Sequence, residues 1–179
     1  GWSADTRLYD EFEQLLQQSG TSRQTVRRGD TLLTDPGVRV RVLSPPRDGN
    51  ARVETRNNAS VVLHVSYGDV DFLLPGDIEA EAEENLVRAY GEQIESEVVK
   101  VPHHGSSTSS TQGFVKATSG SERASHAVVS VGQEDQYEMP HEAVLSRWKD
   151  YGMKVHSTAK DGAVWMRTDG QKVWQVDWE

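Results

Sequence analysis

The chain of 179 residues contains no cysteine. A disulfide framework, a thiolate metal site and a cysteine nucleophile are therefore excluded. Long apolar runs are also missing. No stretch approaches the ~18 residues needed to span a membrane as a helix. The opening Gly-Trp-Ser-Ala-Asp has neither the basic start nor the apolar stretch of a signal peptide. Positive charge is in deficit, with 19 basic against 28 acidic residues and a net charge of −9. That balance favours solubility and disfavours broad nucleic-acid binding. It is uneven along the chain. Residues 69–97 carry ten acids and one base, and residues 21–56 carry eight arginines and four acids. Both segments read first as solvated surface. The arginine-rich one is also the candidate electrostatic footprint for a polyanion.

The length suits one domain with a real core. Residues 5–18 are predicted as an amphipathic helix, with Leu8, Phe12, Leu15 and Leu16 on one face and Gly20 as its stop. Val38, Val40 and Val42 alternate with Arg39 and Arg41, the period of a half-buried strand, and residues 47–58 read as a polar loop. Two β-rich runs, 60–67 and 70–74, are joined by Gly68-Asp69 as a hairpin. A helix begins near Glu79 and stops at Gly91, and a short strand follows at 98–101. Ser106–Thr111 reads as a loop leading into a helix cap. Further on come a buried strand at 127–131, a helix at 141–151 with Val144, Leu145 and Trp148 inward, and three strand-like runs at 153–157, 163–167 and 172–178. Asp169-Gly170 forms the last hairpin turn. Trp165, Trp174 and Trp178 read as core and edge packing rather than a base-stacking platform. Hairpins alternating with strand–helix units argue for a layered α/β fold with a mixed sheet.

Three places carry candidate chemistry. Asp77 follows the apolar run Phe72-Leu73-Leu74-Pro75-Gly76, at a strand end where α/β folds place ligands. It reads either as a helix N-cap or as a site carboxylate. His103 and His104 end the strand at Pro102. Adjacent histidines there diverge, and a neutral imidazole is a zinc or manganese ligand, although a plain surface pair has the same sequence. Asn57-Asn58-Ala59-Ser60 leads into the first hairpin strand and by itself reads as a polar loop. A serine-hydrolase reading of His103, His104 and Ser106 fails, because near neighbours rarely adopt triad geometry and no Gly-x-Ser-x-Gly is present.

Taken in order, NNASVVLHVSYGDVDFLLPGD (57–77), VPHHGSSTSS (101–110), VVSVGQEDQYEMP (128–140) and DGAV (161–164) resemble the metallo-β-lactamase superfamily. The similarity is to its competence-type version, the C-terminal domain of the DNA-uptake channel (ComEC-type), and it runs from about Gln24 to Val176. The resemblance implies an αββα sandwich with a divalent metal site, zinc or manganese, at one sheet edge. It also implies metal-dependent hydrolysis, often of phosphodiesters, so that nucleic acid is the implied substrate. In this resemblance Asp77 bridges two metals. His104 is the first-choice metal ligand and His103 the second, so Asp77 and His104 carry the catalysis. Asn57 and Asn58 line the site, as do Ser106, Asp135 and His141.

Two departures accompany it. The superfamily signature His-x-His-x-Asp-His is absent, so the chain reads as the C-terminal portion of the sandwich. Where the family has Asn-x-Tyr-Gly-His-Pro, this sequence has Asp135-Gln136-Tyr137-Glu138-Met139-Pro140, with Met139 in place of the histidine and Asp135 in place of the asparagine. His141 follows two residues late, as a substitute ligand or a first-turn helix residue. The expectation is weak metal binding and poor turnover by this chain alone. The alternative is a non-catalytic binding or scaffolding module with an eroded metal site. Sheet left uncovered by missing strands would favour self-association.

Overall fold

The computed structural model describes residues 6–32, 35–47, 55–120, 125–133 and 138–177. The first helix, α1 (Arg7–Ser19), starts at Thr6, whose hydroxyl accepts from the Tyr9 N–H, and ends at a left-handed Gly20. Strands β1 (Thr31–Leu32), β2 (Val38–Ser44), β3 (Val62–Tyr67) and β4 (Val70–Leu74) form an antiparallel series. Helix α2 (Ala80–Tyr90) crosses to β5 (Val98–Lys100). Helix α3 (Gln112–Thr118) crosses to β6 (His126–Val129), and α4 (Glu142–Asp150) to β7 (Lys154–Ser157). These crossovers make β4 through β7 parallel. The result is a seven-stranded mixed sheet in sequential order, as the alternation of hairpins and helices predicts. A short helix α5 (Thr158–Asp161), unforeseen in the sequence, leads to a separate hairpin of β8 (Trp165–Thr168) and β9 (Val173–Val176).

Register assigns the two faces of the sheet. Leu43, Val62, Leu73, Val99, Ala127 and Val129 point into one core with Ile78, Leu86, Phe114, Val144, Leu145 and Trp148. Trp148 has none of its surface exposed and stands edge-on to Phe114. At the β2–β3 end this face turns polar, with Arg41 opposite His64 and Asp71 beyond it. The opposite face carries Leu63, Val65, Phe72 and Val128, half-buried, with Tyr67 and Leu74 exposed.

Helix α1 forms where the sequence predicts it, and its apolar face is exposed: Leu8 is 76%, Phe12 51% and Leu15 64% exposed. The core part of the tryptophan reading is corrected, since the described tryptophans of the last hairpin are not in the core. Trp165 is 47% exposed and Trp174 is half-buried, both on one hairpin face with Arg167, while Trp178 lies outside the described residues. Amphipathic periodicity specifies which face is apolar and says nothing of what covers it.

Candidate metal and phosphate site

The site stands at the carboxyl ends of the parallel strands. After β4 the chain turns sharply at Gly76, whose φ is +66°. A Cβ there would lie 2.8 Å from the Ser60 Cβ, so both the space and the conformation require glycine. The Asn-Asn-Ala-Ser loop supports this turn. Ser60 Oγ accepts from the Asp77 N–H at 3.2 Å, and Asn58 Oδ1 accepts from the Glu79 N–H at 2.8 Å. Asn58 is buried and its amide also donates to Glu81. Asn57 and Asn58 thus brace the first turn of α2. The residue at the N-cap position of α2 is Glu79, so Asp77 is not the cap of this helix.

After β5, His103 and His104 take left-handed conformations, with φ of +45° and +54°. Left-handed backbone at non-glycine residues costs about 1–3 kcal/mol each and clusters at functional sites. The turn is held by the His103 N–H on Gly76 O at 3.2 Å, the Ser106 N–H on His103 O at 2.8 Å and the His141 N–H on Gly105 O at 3.0 Å. The two imidazole planes lie at 65° to each other, and each ring meets its own carboxylate. His104 Nε2 is 3.6 Å from Asp77 Oδ1. His103 Nδ1 is 3.7 Å from Glu79 Oε1, with Thr108 Oγ1 3.5 Å from the same nitrogen.

His104 Nδ1 lies 2.6 Å from Ser130 O. A carbonyl only accepts, so Nδ1 carries a proton and Nε2 is the nitrogen turned toward Asp77. Burial pushes the Glu79 carboxyl up. Hydrogen bonds from Thr55, Thr108 and Asn57 and the charge of His103 outweigh that, leaving it below the usual range. Lys100 Nζ is 3.7 Å from Asp77 Oδ1. Burial lowers its pKa, and Asp77 opposes the shift.

Asp77, His103, His104 and Ser130 line a cavity of about 720 Å³ together with Val131, Gly132, Met139 and Thr158. Ser106 is buried and bonded to Thr108 in the supporting loop. His141 occupies the N-cap position of α4 without a side-chain cap bond and is not among the cavity's lining residues. Asp135 lies outside the described residues. Glu79 and Lys100 were not singled out by sequence. The one signal for Glu79 was its place two residues after Asp77, and Lys100 carried none beyond its place at a strand end.

Two donors of the kind that zinc or manganese accepts stand here, a carboxylate oxygen of Asp77 and the oriented His104 Nε2. Catalytic zinc takes three protein ligands. Among the described residues, no group of three or more His, Cys, Asp or Glu is gathered to hold an ion. Among the described residues, several arginines of 21–56 have internal partners. Arg23 bonds Tyr9 and Glu13, Arg28 bonds Leu43 O and lies over Tyr90, Arg41 meets His64, and Arg47 bonds Asp30 and Arg28 O.

No family model matches the chain. ComE operon protein 3 of Bacillus subtilis (strain 168) is 30% identical over 154 residues, which cover 86% of this chain and 19% of that protein. Competence protein ComA of Neisseria gonorrhoeae is 39% identical over 108 residues, covering 60% and 15%. Recombination protein 2 of Haemophilus influenzae is 32% identical over 128 residues, covering 72% and 15%. The chain therefore spans less than a fifth of the length of these relatives. By these similarities it is a relative of competence proteins, matched to one segment of each.

Proposed function

We propose that this chain is a metallo-β-lactamase-type hydrolase segment that acts on nucleic-acid phosphodiesters during DNA uptake. In this reading Asp77 and His104 are two ligands of a divalent metal centre whose remaining ligands lie outside the described residues. The single observation that carries it is the pairing of Asp77 Oδ1 with an imidazole nitrogen 3.6 Å away, its tautomer set by Ser130 O. Similarity to competence proteins supports the setting. A bound divalent ion supplies acidified water and charge neutralisation at phosphorus. The chain's own residues do the rest. Ser130 O holds the His104 proton at Nδ1, the Ser60 and Asn58 side chains fix the Asp77–Glu79 turn, and Val131 and Met139 add apolar lining to the cavity. With two donors among the described residues, the reading expects weak metal binding and poor turnover by this chain alone.

A second reading, a non-catalytic binding or scaffolding module, is favoured by one observation. The Lys100 ammonium already neutralises Asp77. Calorimetric titration of manganese and zinc into metal-free protein tests both. The first reading expects measurable binding that falls at least about tenfold in Asp77→Ala and in His104→Ala. Binding absent from the parent chain, or unchanged in both variants, supports the module instead. Vigorous cleavage of DNA by this chain with manganese would overturn the statement that two donors limit it.

A further inference from the structure

Lys100 is the last residue of β5, and its stem is three-quarters covered, with 26% of the side chain exposed. Its ammonium has three protons to donate. Three acceptors stand around it: Gly76 O and Val101 O, each at 3.3 Å, and Asp77 Oδ1 at 3.7 Å. Two belong to the Gly76-Asp77 turn that presents the site carboxylate. The third is the carbonyl just ahead of the Pro102-His103-His104 turn. One cation thereby ties together the two turns that form the site. It does so on the same Asp77 oxygen that faces His104 Nε2.

We propose that Lys100 is a positioning residue and the built-in counter-cation of Asp77. It holds the carboxylate and both turns in place before any ion is bound, and it limits how tightly a divalent ion is taken up. The inference rests on the reading of Asp77 as a metal ligand. Its physical basis is charge. A divalent ion held by Asp77 would have the Lys100 ammonium as a near neighbour, in surroundings that water screens only partly. Lys100 is also a point charge on a flexible stem, so it yields its place by rotating away rather than by unfolding the turn. The site is therefore ordered without metal and weakly binding by construction.

The test compares the parent chain with Lys100→Met, which keeps the stem and removes the charge, and Lys100→Arg, which keeps the charge. Manganese binding is read from the free-ion paramagnetic resonance signal, and folding from circular dichroism and melting temperature in chelator. Lys100→Met should bind manganese at least about tenfold more tightly than the parent. Lys100→Arg should stay within about threefold, and Lys100→Met with Asp77→Ala should lose the gain. In chelator, Lys100→Met should melt below the parent, because Asp77 has lost its partner, and manganese should restore more of its stability than of the parent's. A folded Lys100→Met that binds manganese equally or more weakly overturns the proposal and leaves the metal reading standing. Binding by neither protein overturns the metal reading, and this inference with it.

Discussion

Glu83 is a carboxylate with none of its surface exposed, and its two oxygens accept the N–H groups of Ser110 and Thr111 at 2.5 and 2.7 Å. Ser110 has a left-handed φ of +59°; its carbonyl accepts from Arg147, and its hydroxyl accepts from Trp148. One buried acid thus pins the loop that carries Thr108 to Glu79 and His103. Glu83→Ala orphans the buried Ser110 donor, at about 1–3 kcal/mol, and the half-buried Thr111 donor, and urea unfolding should register that loss. Burial pushes the Glu83 carboxyl up, against hydrogen bonds from Thr111 and Ser110. A carboxyl raised by folding contributes fully below its unfolded range near 4.5, and its contribution declines as pH rises through the native value. The cost of Glu83→Ala should therefore be larger at pH 5 than at pH 8. Gly105 is a second fixed point. Its φ is +81°, and a Cβ would sit 2.6 Å from the Pro140 Cβ. Gly105→Ala should lower the melting temperature and weaken manganese binding together. Asp77, His103 and His104 were legible because each follows a short apolar strand. Glu83 was hidden in an acidic helix whose pattern reads as solvated surface, and no local signal distinguishes the one acid that the fold buries.

At the scale of elements, the sequence carried the order well. The Gly68-Asp69 and Asp169-Gly170 turns, the stops at Gly20 and Gly91, and the inward Val144, Leu145 and Trp148 all stand where local chemistry puts them. Those signals are set by a few neighbouring residues. What depends on distant partners was not legible, including the pairing of β6 with β7 through two histidines. His126 Nδ1 lies 2.9 Å from His156 Nε2, and the rings stack at 5.1 Å, both nearly fully buried. One neutral ring donates and the other accepts, so a second proton breaks the bond. Burial lowers both pKa values. The charges of His156 and Lys154 lower His126 further, while for His156 Lys154 is partly opposed by Asp161. A histidine lowered by folding binds protons more readily when unfolded. Its contribution is therefore complete above the unfolded value near 6.5 and is lost as pH falls from there through the native value. Chemical unfolding between pH 7.5 and 5 should show this decline. His156→Gln, which keeps a hydrogen-bonding group at the Nε2 position, should flatten it. A decline of equal size in His156→Gln would assign the pH dependence to other groups.

The whole molecule has two unlike sheet faces. Helices α2, α3 and α4 bury one in a continuous core. On the other, register aligns Leu63 with Leu74, Val65 with Phe72 and Tyr67 with Val70, and only part of this surface is covered. Tyr67 and Leu74 are 39% and 40% exposed. The β8–β9 hairpin reaches this region through its turn, where the Asp69 N–H donates to Gly170 O at 2.6 Å, and the Tyr67 ring lies against Gly170. α1 adds Leu8, Phe12 and Leu15 as a second exposed apolar stripe. Contiguous apolar surface of this kind drives association when nothing else covers it. A net charge of −9 opposes it at low salt, over a screening length of about 10 Å at 0.1 M. The two effects separate by ionic strength. Sedimentation should show mostly monomer at low salt and concentration-dependent association as salt screens the repulsion. Leu74→Lys places a charge on the open sheet face, and Phe12→Lys places one on the helix stripe. If the sheet face is the contact, Leu74→Lys should restore the monomer at high salt and Phe12→Lys should not. The reverse result would assign the contact to α1. Monomer at every salt concentration in the parent chain would mean that the hairpin covers enough of the sheet face to keep it from associating.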